Sequence, residues 1–102
     1  MKNIHIEFTE ENLSLLTSGK KTSTLRSDGQ AAKIGLNKGE IGIFKGFKVE
    51  YKGLVYVDEV GGKTEIWKSE GFDFTERKKP MFESTVKFLE GKIPLHLYIF
   101  RK

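Results

Sequence analysis

Apolar and polar residues alternate at the start of the chain. Ile4, Ile6 and Phe8 fall on one side, Asn3, His5 and Glu7 on the other, which is the period of a half-buried strand. The period then changes. Thr9 reads as an N-cap, Glu10 and Glu11 suit the positive end of a helix, and Leu13, Leu15 and Leu16 supply an apolar face. Gly19 reads as a stop, followed by Lys20 and Lys21 near the negative helix end. The pattern predicts a helix over Glu10–Ser18. "TSTLR" predicts a short strand, and "SDGQAAKIGLNKGE" a long loop closed by the turn signal "NKGE".

Closely spaced strands are predicted next, at Ile41–Phe47, Val49–Tyr51, Leu54–Val60 and Thr64–Trp67. "YKGL" and "VGGK" are the turns between them, the second a two-residue hairpin signal. Phe82, Val86 and Leu89 recur at helical spacing after Pro80, and Gly91 ends that pattern. "LHLYIF" is a strand in which Leu95, Leu97 and Ile99 alternate with His96, Tyr98 and Phe100. Both sets are largely apolar, which suits the interior of a sheet. The order of elements predicts a compact α+β domain whose antiparallel strands form a small curled sheet or barrel.

The 102 residues fit one domain, residues 1–102, and no repeat, linker or low-complexity tract divides them. Eight Phe, three Tyr and one Trp predict an aromatic-rich core. With no cysteine, disulfides, thiolate zinc sites and cysteine nucleophiles are excluded. The start "MKNIHIEF" has no apolar run of signal-peptide length, and no stretch approaches the ~18 apolar residues of a membrane span. A soluble cytoplasmic protein, monomeric and without a membrane partner, is the expectation. Net charge is +4, which attracts nucleic acid, nucleotides or other anions and also suits a merely solvated lysine surface.

Candidate chemistry concentrates in "GKKTSTLR". Arg26 offers a planar fork for phosphate, and Lys20 or Lys21 a point charge. Thr22, Ser23 and Thr24 offer hydroxyls, and a threonine becomes a nucleophile only beside a base. Read locally, the stretch is a basic turn and edge strand. Glu70, in "SEGFDF", reads locally as a loop or capping carboxylate. His5 and His96 read as structural or surface histidines, and no metal cluster or phosphate-binding glycine loop is visible. In a regular strand Lys21 and Thr24 face opposite ways, so they meet only if Gly19–Thr22 is still a turn.

"LTSGKKTSTLR" resembles the signature of the ASCH superfamily, with its PUA-like barrel. "KGE", "SEGFDFTERKKPM" and "LHLYIF" follow in that family's order. The resemblance implies about five to six mostly antiparallel strands with two to three flanking helices. Within the superfamily, Gly19, Lys20, Lys21, Thr22, Thr24, Leu25 and Arg26 are most similar to the motif of the small bacterial N(4)-acetylcytidine amidohydrolases. By resemblance, Lys21 is the base, Thr24 the nucleophile and Glu70 the acid/base partner, with no metal and no cofactor. Many ASCH proteins have Glu where this chain has Thr24. Lys20, Thr22 and Arg26 would help bind substrate, and Trp67 or Phe72 would stack on the base. The loop Ser27–Lys38 and Pro80 depart from the family pattern. The implied partner is a nucleoside or single-stranded RNA. The competing expectation is an RNA- or nucleotide-binding module without catalysis, or a ribonuclease. Phosphate contacts would make RNA affinity fall steeply with salt.

Overall fold

A computed structural model describes residues 1–55, 90 and 93–102. Its elements are β1 (Lys2–Asn3), α1 (Glu10–Thr17), β2 (Ser23–Arg26), α2 (Asp28–Ile34), β3 (Ile41–Phe44), β4 (Phe47–Val55) and β5 (Leu95–Arg101). The architecture is α+β. Five strands form one mixed sheet in the order β1-β3-β4-β5-β2. β1 runs parallel to β3, and the other three pairings are antiparallel. The described strands form an open sheet rather than a closed barrel. The predicted hairpin at "VGGK", the strand Thr64–Trp67 and the helix after Pro80 lie outside the described residues, as do Trp67, Glu70 and Phe72.

α1 forms where the sequence places it. The Thr9 side chain accepts from the Asn12 backbone N–H at 3.2 Å, a cap worth about 1 kcal/mol. Ser18 closes the helix, and Gly19 turns the chain with φ 80°. Gly19 N–H donates to Leu16 O at 3.2 Å and Lys21 N–H to Leu15 O at 3.0 Å, so the end of α1 holds the backbone of Lys21 directly. Leu16 is the helix residue driven into the core, 1% exposed. Burial of such a side chain contributes roughly 1.5–3 kcal/mol.

Four elements depart from the pattern-based expectation. Only Lys2–Asn3 pair as a strand at the N-terminus, although Ile6 is buried and Ile4 and Phe8 pack against the core. The long loop contains α2. Its Ala31, Ala32 and Ile34 favour a helix, and Gly35 ends it in the left-handed region, φ 73°. Lys2 Nζ donates to Gly35 O at 2.6 Å across this end. Third, Ile41–Phe47 is not one strand. Lys45 and Gly46 both have positive φ, 47° and 84°, and form the two-residue turn that suits the twist of an antiparallel hairpin. Phe44 and Phe47 therefore face each other across it. Finally, "YKGL" is not a turn. β4 runs through it with a bulge, and the register shifts between Tyr51 and Gly53. "NKGE" does turn, closed by Glu40 N–H to Asn37 O at 2.8 Å.

The core is aromatic. Phe8, Phe44, Phe47 and Phe100 pack with ring centroids 5.7–6.5 Å apart, a spacing that adds to simple burial. β5 lies in the interior of the sheet, between β4 and β2. Along it, His96, Tyr98 and Phe100 share the face covered by Phe8.

β1 packs closely on β3 at Gly42, where an added Cβ would lie 2.8 Å from Ile4 Cγ2 and 3.1 Å from Lys2 O. Gly42→Ala should destabilise the fold by about 1–3 kcal/mol, measured by chemical denaturation, because backbone and a stiff side chain must move. A loss under about 0.5 kcal/mol, the range of a neutral surface change, would contradict this packing.

Candidate functional site

The turn between α1 and β2 divides the basic motif by exposure. Lys20 and Thr22 are exposed. Lys21, Ser23 and Thr24 are buried, at 2%, 1% and 2% exposure. Burial of a lysine side chain is uncommon enough to require a local reason. The reason is visible in the chain path. Lys21 precedes β2 and is fixed by the helix end, so the alternation that starts at Ser23 does not govern it. Its Nζ lies 6.0 Å from the centre of the Phe8 ring. Arg26 approaches the same ring, with Cζ at 4.7 Å, in the range of a cation–π contact. Two of the predicted cations thus gather on one ring over one face of the sheet.

Thr24 belongs to that face. It stands opposite Tyr98, and Tyr98 stands opposite Tyr51. Paired residues in antiparallel strands share a side, so Thr24, Tyr98 and Tyr51 form a row across β2, β5 and β4. The next row is Arg26, His96 and Leu54. Tyr51 and Leu54, three residues apart, share a face only because of the bulge between them. Lys21, Thr24 and Arg26 are all on this side of the sheet. Lys20 and Thr22, expected to bind substrate, are exposed.

Tyr98 is fully buried. Its hydroxyl and Ser23 Oγ have no hydrogen-bond partner among the described residues. Burial pushes the Tyr98 pKa up to about 12, helped by Tyr51 and opposed by Arg26. Tyr51 stacks on it with ring centroids 4.9 Å apart and 22° between planes. Burial, then the Asp28 charge, raise the Tyr51 pKa above its ordinary value.

Pattern reasoning did not find Asp28, Tyr51 and His96. Asp28 Oδ1 is 2.6 Å from His96 Nε2, and the Tyr51 hydroxyl bonds to His96 Nδ1. The three come from a presumed loop and two strands, so no local spacing signals them.

A cleft of about 130 Å³ opens beside Arg26, between His5 and Glu7 on one side and Gln30 and Lys33 on the other. His5 Nε2 and Glu7 Oε1 are 3.0 Å apart there. Among the described residues, no group of three or more His, Asp or Glu is placed to hold a metal ion, and no helix is long and apolar enough to cross a membrane.

Comparison of the chain with protein-family models, with curated proteins and with solved structures finds no match.

Tyr98 gives this face a stability signature. The phenol ionises near 10.0 when unfolded and near 12 when folded. Above pH 10 the unfolded chain therefore binds fewer protons than the folded one, and stability falls as pH rises towards 12. The loss attributable to Tyr98 should be about 2–3 kcal/mol. In denaturation curves from pH 7 to 12, Tyr98→Phe should remove that component. It should also match or exceed the wild type at pH 7, since an unsatisfied buried hydroxyl is deleted. Parallel pH profiles for both proteins would contradict the burial of this hydroxyl.

Proposed function

We propose that the protein is a metal-free amidohydrolase that removes an acyl group from a modified nucleoside such as N(4)-acetylcytidine. One observation supports this most: an amine and a hydroxyl from one short motif, Lys21 and Thr24, are both buried at the start of β2. Solvated turns expose such groups. The fold that goes with this reading is the PUA-like barrel, to which the five-stranded sheet would belong.

In this reading Lys21 takes the proton from Thr24 Oγ as that oxygen attacks the amide carbonyl carbon. The carbon–nitrogen bond breaks, and the departing exocyclic nitrogen receives a proton from Glu70. An acyl-threonine remains, and water releases it as the free acid. Arg26 is on the same face as Thr24 and supplies positive charge for the developing oxyanion. The cleft beside Arg26 gives the sugar or a phosphate a place to rest, with Lys33 as a second cation. Trp67 or Phe72 stacks on the base.

The test is acetate release from N(4)-acetylcytidine. Thr24→Ala and Lys21→Ala should each lower kcat by at least about 100-fold, the scale of a lost nucleophile or base. Thr24→Ala turning over at the wild-type rate would remove the nucleophile assignment. RNA binding that weakens steeply with salt, with no acetate released and no RNA cleaved, would replace the enzyme by a binding module.

A further inference from the structure

The Asp28, His96 and Tyr51 line has no part in the chemistry above, yet its geometry is that of a proton relay. A carboxylate can only accept, so His96 Nε2, 2.6 Å from Asp28 Oδ1, carries the ring proton. In the neutral ring Nδ1 then accepts the Tyr51 O–H. The line runs inward from water. The Asp28 side chain is 93% exposed, that of His96 is 15% exposed, and Tyr51 is half-buried against Tyr98. Tyr51 is also on the same face of the sheet as Thr24, two strands away in one cross-strand row with Tyr98 between them. A tyrosine needing only one hydrogen bond is satisfied by a backbone carbonyl or by water. An imidazole acceptor backed by a carboxylate does more, because it can take the phenol's proton and hold the charge that results.

We propose that Tyr51 is a second acid–base residue of this face, and that His96 and Asp28 are positioning residues that relay its proton towards solvent. The proposal rests on the Lys21–Thr24 reading and assigns Tyr51 to the hydrolysis of the acyl-threonine. Water gives one proton to the Tyr51 oxygen while the Tyr51 proton passes to His96 Nδ1. The water oxygen bonds to the acyl carbonyl carbon. The bond from that carbon to Thr24 Oγ breaks, and Oγ takes back the proton held by Lys21. Asp28 balances the imidazolium until its extra proton passes to solvent, from which Glu70 regains the proton it gave to the leaving nitrogen, and the free acid departs. The raised pKa of Tyr51 means that it enters this step as the phenol.

The experiment compares wild type, Tyr51→Phe, His96→Gln and Asp28→Asn with N(4)-acetylcytidine as substrate. It reads the pre-steady-state burst of cytidine, kcat, KM and the intact mass during turnover. Tyr51→Phe keeps the ring that stacks on Tyr98, and Asp28→Asn alters an exposed group, so neither disturbs the packing. The relay predicts a stoichiometric cytidine burst in Tyr51→Phe and an acyl adduct that persists on Thr24. It predicts kcat and KM lowered together by at least about tenfold, with kcat/KM unchanged because acylation is untouched. His96→Gln should behave alike and Asp28→Asn more mildly. A purely structural role would lower kcat/KM and leave no adduct. An active wild type whose Tyr51→Phe variant turns over normally, or loses kcat/KM alone, overturns the relay. A wild type inert towards this substrate overturns the hydrolysis reading beneath it, which is a different result.

Discussion

β5 is hydrogen-bonded on both sides, to β4 and to β2, and that double pairing is the constraint on which the candidate site depends. Side chains on a strand alternate, so one residue of slippage would reverse the face of every group on it. The register is pinned by what β5 buries. Tyr98 is wholly inside and Phe100 nearly so, and Phe100 packs against Phe8, Phe44 and Phe47. Moving that aromatic edge to the other face would expose it and strip the core. The apolar half of the sheet therefore fixes the location of Thr24, Arg26, His96 and Tyr51.

The polar groups on this face come from both ends of the described chain. α1 ends in a glycine turn that delivers Lys21 to the Phe8 ring, although strand alternation would have sent it away. The bulge at Gly53 acts likewise on β4, turning Leu54 to the side that carries Tyr51 and His96. Both devices are local irregularities in the backbone, and each re-aims a side chain that regular geometry would misplace. Asp28 arrives by a third route, at the first turn of a short helix that begins directly after β2.

Much of this was legible in the sequence where the signal is local. α1 followed from its Thr9 cap, its acidic first turn and Gly19. β2 followed from "TSTLR", and β5 from a doubly apolar alternation that suits a strand with neighbours on both sides. α2 was hidden by Gly29 and Gly35, which look like loop residues although Gly35 is the helix stop. The hairpin at Lys45–Gly46 was hidden because a lysine takes the positive φ that Asn or Gly usually supplies. Gly53 looked like a turn and is a bulge, since both use the same conformational freedom. In the candidate site, the motif around Lys21 and Thr24 could be read because its residues are adjacent. The Asp28–His96–Tyr51 line could not, because its members are 68 and 45 residues apart and each is ordinary alone.

The claim at the centre of this account is that one face of β2, β5 and β4 carries the amine, the hydroxyl and the phenol together. Cross-strand nuclear Overhauser contacts measure that register directly in the full chain in solution. The account predicts backbone contacts that place Thr24 opposite Tyr98 and Tyr98 opposite Tyr51, with Lys21 side-chain protons close to the Phe8 ring. Contacts shifted by one residue on either side of β5 would put Thr24 and Tyr51 on different faces and contradict it.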